Sequence, residues 1–212
     1  MTAEPGDPAG EIVLAWRECG RRDGETLVLL HGFGGSGHSF DPLADDLGTS
    51  ARIILPDLPG HGGSADAGGS RHPKAAAQAV LATLDRIGCA RFHLGGFSMG
   101  GAVACLIALQ APERVKSLTL LAPGGFGAGI AASTLRAFGA ARTRAELRAA
   151  LSDMVAPGAQ PPEAEIAVLE KERRNEALTA ELTGIAAMIT KDGRQGEIPR
   201  AALASIGCPV RV

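Results

Sequence analysis

Between residues 11 and 123 short apolar runs alternate with stretches of helical period. The runs "EIVLAWREC" (11–19), "TLVLLHG" (26–32), "ARIILPD" (51–57), "RFHLGGFS" (91–98) and "VKSLTLLAP" (115–123) read as strands. The second is almost unbroken, as in a strand covered on both faces. Asp41 as N-cap and Pro42 at the first helical position open a short helix after it. Residues 73–87 carry Ala76, Val80, Leu84 and Ile87 on one helical face and stop at Gly88. "GGAVACLIALQ" (100–110) is apolar nearly all round and predicts a deeply buried helix. This alternation predicts an α/β fold, with a mostly parallel, doubly wound sheet and helices on both faces.

After Pro123 the pattern changes, and no strand period returns between Gly124 and about Arg200. Thr143 and Glu146 form a capping box at one helix start, and "PPEAE" opens another. The expected organisation is a core over 1–124, a helical cap over 125–200, and a return to the core over 201–212. In that return, "IGCPVRV" (206–212) begins a last strand. Within the helical segment, Phe126, Leu135, Phe138, Met154 and Met188 are candidates for a pocket wall, although their helical spacing suits a core better.

Composition narrows the function. Hydrophobic residues are 45% and charged residues 21% of the chain, as in an ordinary globular protein. A formal charge of −2 supplies no concentrated positive field, so nucleic acid is not an expected partner. The four cysteines lie apart with no metal-ligand spacing; Cys89, Cys105 and Cys208 stand among apolar residues, where a thiol acts as a small buried hydrophobe. "MTAEPGDPAGE" lacks the basic and apolar parts of a secretory signal, and no apolar stretch approaches membrane-spanning length. The expectation is a cytoplasmic protein without metal or cofactor, acting on a small-molecule substrate away from membranes.

The chemistry centres on "GGFSMGG" (95–101), between a predicted strand and a predicted helix. Gly96-Phe97-Ser98-Met99-Gly100 fits G-x-S-x-G, the tight turn that lifts a serine hydroxyl above the carboxyl edge of a sheet. There the amide of Met99 points at an oxyanion formed by attack from Ser98. A second glycine cluster, "LVLLHGFGGSG" (27–37), has two readings. Gly32, Gly34 and Gly37 match the dinucleotide fingerprint G-x-G-x-x-G, and Asp57 stands where a ribose-binding acid would. However, a dinucleotide loop opens directly into its helix, whereas the helix expected here begins five residues beyond Gly37, at Pro42. Together with the serine turn, this favours an oxyanion loop whose donor is the Phe33 amide.

"HGFGG", "DLPGHGGS" and "GFSMGG", in this order and spacing, resemble the α/β-hydrolase superfamily. More narrowly, "GGAVACLIALQAPERVKSLTLLAPGGFG" and "KDGRQGEI" resemble the hydrolase-like domains of acetoin dehydrogenase dihydrolipoyl acetyltransferase components. The resemblance implies a serine hydrolase or acyltransferase acting on an ester, thioester or related carbonyl. It gives Ser98 as nucleophile, the Phe33 and Met99 amides as oxyanion hole, and His31 and His61 as loop braces. It also implies a triad acid and histidine after Ser98, yet all five histidines precede it. The expectation is therefore a chain cut short, with the C-terminal strand and helix of the fold missing and activity impaired. Loss of the histidine of a serine hydrolase costs about 10⁶ in turnover. From a typical rate of about 10 per second, that leaves roughly one turnover per day. The rival classes are a non-catalytic binding protein with the same pocket and, more remotely, a dinucleotide-binding oxidoreductase.

Overall fold

The computed structural model describes residues 12–67 and 72–212. Six strands, β1 (Trp16–Gly20), β2 (Glu25–Leu30), β3 (Ala51–Pro56), β4 (Phe92–Phe97), β5 (Val115–Leu121) and β6 (Val210–Arg211), form one sheet in the order β1-β3-β2-β4-β5-β6. β1 runs antiparallel to β3 and every other pairing is parallel. The chain steps outward from β2 to β3, then crosses back over β2 to β4 on its other side. Such a reversal leaves a crevice at the carboxyl ends of the central strands.

Side chains on β2 alternate between two cores, as a period of two requires. Val28 and Leu30 pack with α2 (Pro73–Arg86) and α3 (Met99–Gln110) through Val80, Leu84, Val103 and Ile107. Leu29 faces the opposite layer with Phe40, Ala44, Ile53 and Leu55, over α1 (Asp41–Leu47). α3 is buried around most of its surface because the sheet, α2 and the segment after β5 enclose it. At Gly88, φ is +68°, and α2 ends just before it.

Four local expectations differ from the structure. The first strand begins at Trp16, because the preceding backbone bonds to side chains instead of a strand partner: Leu14 N–H to Thr83 Oγ1 at 2.9 Å and Ala15 N–H to Ser64 Oγ at 2.8 Å. Residue 11 lies outside the described residues. Asp41 is not the N-cap of α1. A 3-10 turn over Gly37–Phe40, capped by Ser36, runs straight into the helix, and Asp41 instead pairs with Arg17 and His38. Cys208 is half-buried, whereas Cys89 and Cys105 are buried. The last strand comprises only two residues, since the chain from Ile206 is still leaving the turn that ends α8 (Arg200–Ala204).

Between β5 and β6 the chain is helical: α4 (Ala132–Ala140), α5 (Arg144–Ser152), α6 (Glu163–Glu172) and α7 (Glu176–Ile189) precede α8. Thr143 and Glu146 make both bonds of a capping box, and Asn175 Oδ1 accepts from Ala177 and Leu178 at the start of α7. These helices bury a core of their own, including Leu147, Ile166, Leu169, Leu178 and Leu182, and Phe33 from the sheet edge joins it.

Candidate active site

Strand register places the site. β2 and β4 are neighbours with Leu30 opposite Gly96, so two residues further on Gly32 faces Ser98. A Cβ built on Gly32 would lie 3.4 Å from the Ser98 Cβ and 2.8 Å from the Phe97 ring. The glycine is what lets the two loops approach.

Ser98 has φ 51° and ψ −116°, a combination that non-glycine residues reach at a cost of about 1–3 kcal/mol. Its neighbours hold it there. Ser98 N–H donates to Leu121 O at 3.0 Å, while its carbonyl accepts from Gly101 and from Gly124 at 2.9 and 2.8 Å. The flanking glycines are steric necessities. A Cβ on Gly100 would meet Leu30 O at 2.2 Å, and one on Gly96 would meet Gly100 O at 2.5 Å. Met99 is the first residue of α3, so the helix offers its amide no intrahelical acceptor.

The loop after β2 is a β-turn over Gly32–Gly35, closed by Gly35 N–H to Gly32 O at 3.2 Å. Gly34, at its third position with φ +76°, gives the left-handed residue a type II turn requires. Phe33 N–H, at the second position, has no acceptor among the described residues. His31 fixes the peptide that carries it. Leu58 N–H donates to His31 Nε2 at 2.9 Å, so the ring proton sits on Nδ1 and donates to Gly32 O at 2.8 Å. His31 is fully buried, and that burial lowers its pKa, so it is neutral near pH 7. His61 is also fully buried, donates from Nδ1 to Pro59 O at 3.0 Å, and meets the Phe33 ring edge-on at 5.9 Å. Burial, then the neighbouring His31, pulls the His61 pKa down to about 3.

Asp57 has its carboxylate committed. Oδ1 accepts from Gly37 N–H at 2.7 Å and Oδ2 from Gly63 N–H at 2.8 Å, tying the loops after β2 and β3 together. The foremost amide of the 3-10 turn that a phosphate would need is thereby occupied.

Ser98, Phe33 and Met99 all line one cavity of 380 Å³ between the sheet edge and the helices. Its walls also take Leu135 from α4, Met188 and Ile189 from α7, and Ile198. Of the other candidate wall residues, Phe138 is buried in the helical core, while Phe126 and Met154 are 47% and 40% exposed, so the core reading fails for those two. His72, Lys74, Gln195 and Glu197 lie along the same cavity. Gln195 lies within "KDGRQGEI", and the sequence assigns it no role at the site. It pins the chain after Ser98's neighbour strand by accepting from Gly125 N–H at 3.1 Å and donating to Gly129 O at 2.9 Å. No side chain among the described residues hydrogen-bonds Ser98 Oγ. Among the described residues, no group of three or more His, Cys, Asp or Glu is placed to hold a metal ion, and no helix is long and apolar enough to cross a membrane.

Comparison with known proteins gives a consistent assignment. The model of the alpha/beta hydrolase fold matches residues 25–166. A dihydrolipoyllysine-residue acetyltransferase component of the acetoin cleaving system of Pseudomonas putida is 37% identical over 194 residues, covering 92% of this chain and 52% of the relative. Its counterpart from Cupriavidus necator is 33% identical over 192 residues, covering 89% and 50%. The chain thus spans about half the length of the curated relatives it matches. Among solved structures, a bacterial membrane phospholipase A superposes with a TM-score of 0.75 at 27% identity, covering 93% of this chain and 64% of that one.

Proposed function

The chain belongs to the α/β-hydrolase family, and from that premise we propose that Ser98 is a nucleophile whose oxyanion is held by the Phe33 and Met99 amides. The observation that carries the reading is a strained serine on a cavity wall, set by strand register opposite a loop whose Phe33 amide has no acceptor among the described residues. As Ser98 Oγ bonds the carbonyl carbon of an ester, thioester or related group, the hydroxyl proton passes to water and the carbonyl π pair moves onto the oxygen as an oxyanion. Two preorganised amides at that position stabilise the developing charge more than the starting carbonyl. Return of the π pair expels the alcohol or thiol and leaves the acyl group on Ser98. Helices α4–α7 act as the cap that selects the substrate. Leu135, Met188, Ile189 and Ile198 favour an acyl group with an apolar body, because burying apolar surface is worth about 25 cal/mol per Å². Hydrolysis and acyl transfer share this first step and differ only in whether water or another nucleophile takes the acyl group.

The absence of a described hydrogen-bond partner for Ser98 Oγ favours one second reading, a pocket that binds a small apolar ligand without turnover. Prolonged incubation with a fluorophosphonate, followed by intact-mass analysis, separates the two. A single adduct on Ser98, absent from Ser98→Ala, supports the nucleophile. No adduct, or one that persists in Ser98→Ala, contradicts it and leaves the binding reading.

A further inference from the structure

The helices reach the glycine loop through a buried cation. Arg173, next to the end of α6, is 4% exposed and donates from Nη2 to Gly34 O at 3.1 Å, across 139 residues of sequence. Its guanidinium lies over Phe138, with Cζ 5.3 Å from the ring centroid, and Phe138 in turn meets Phe33 edge-on at 6.2 Å. Among the described residues, Nε and Nη1 have no partner. Packing alone does not call for such a group, since a buried cation with unpartnered donors is costly and an apolar side chain fills the same space more cheaply.

The Gly34 carbonyl that Arg173 holds belongs to the same peptide group as Gly35 N–H. That N–H bonds Gly32 O at 3.2 Å, and Gly32 O belongs to the same peptide group as Phe33 N–H. Arg173, two peptide groups and the Phe33 amide therefore form a continuous hydrogen-bonded chain, with the charge at one end. Each link in such a chain polarises the next, and the donor at the far end is strengthened. The chain also fixes the peptide after Gly34, the residue of the turn with the widest backbone freedom. His31 Nδ1–H, on the same Gly32 oxygen, reinforces the final link.

We propose that Arg173 is a positioning residue that orients and polarises the Phe33 amide through the Gly34–Gly35 and Gly32–Phe33 peptides, so that the helical segment tunes the oxyanion hole. The proposal rests on the reading of Phe33 as oxyanion donor given above. It needs no contact between Arg173 and substrate.

Two readouts on Arg173→Met test it: the amide proton signals of Phe33 and Gly35 by NMR, and the separate kinact and KI of Ser98 phosphonylation. Loss of the relay is expected to move both amide signals upfield and to lower kinact about tenfold, a fraction of the hundredfold or more that loss of a whole donor costs. KI, which reports cavity binding, is expected to stay within about twofold. A purely structural role would leave the split between kinact and KI unaltered. Arg173→Gln, which keeps a neutral donor, is expected to fall between the two and serves where Arg173→Met does not fold. Unchanged amide signals and unchanged kinact in a folded variant overturn the proposal. Where the unmodified chain gives no adduct on Ser98, the nucleophile reading fails by itself, and the amide signals alone decide the relay: a shift supports it and constancy overturns it.

Discussion

At the scale of single residues, the site is a set of steric permissions around one strained backbone. Ser98 sits at φ 51° because Gly96 and Gly100 let strand and helix close on it. Strain of this kind leaves a thermodynamic trace. Ser98→Gly relieves it and Ser98→Ala does not, so denaturant unfolding is expected to show the glycine variant more stable by about 1 kcal/mol, net of the entropy glycine adds to the unfolded chain. Equal stabilities, or a more stable alanine variant, would mean the conformation is unstrained. Much of this was legible beforehand, since G-x-S-x-G between an apolar run and a helical pattern is a local signal. Arg173 was not legible. In "LEKERRNEAL" it looks like any arginine on a charged helix, and only the meeting of α6 with a loop 139 residues away gives it a carbonyl to hold.

At the scale of elements, two loops are locked edge to edge by buried imidazoles and one carboxylate. His31 joins the loop after β2 to Leu58, and His61 packs on Phe33, both fully buried. A histidine whose folded pKa is depressed binds its proton more readily once unfolded. Its contribution to stability is then complete above the unfolded value of about 6.5 and is lost as pH falls towards the folded value, about 3 for His61. Each such group is expected to give a slope of up to about 1.4 kcal/mol per pH unit across that window. Glu165 and Glu172, whose pKa values burial raises, oppose this at the acid end. Unfolding midpoints between pH 8 and 5 should therefore decline with acid, and His61→Asn should flatten the decline. A midpoint independent of pH in that range would show that the imidazoles are not buried neutral. The sequence located both loops but misplaced how α1 begins. "DP" is a strong local start signal, yet Ser36 and Asp57 had already organised a turn from Gly37 onward. A tertiary bond from β3's loop outweighed the local cue.

At the scale of the whole molecule, the fold brings together groups from distant parts of the chain. The reversal in strand order sets the loops after β2 and β4 side by side, and α4 and α7 close over them to enclose the cavity. Periodicity alone predicted the alternating core and the change to helices after Pro123, because both are patterns within the chain. Which helical side chains face the cavity depended on packing between helices, so Leu135 and Met188 could not be told from Phe138 in advance. The proposed site presents one hydroxyl to a carbonyl carbon and two main-chain donors to the oxygen bonded to it. A crystal structure of the phosphonylated protein measures this directly. It is predicted to place the phosphonyl oxygen within about 3 Å of both the Phe33 and the Met99 nitrogens. A phosphonyl oxygen turned to solvent, with both amides left empty, would contradict the account.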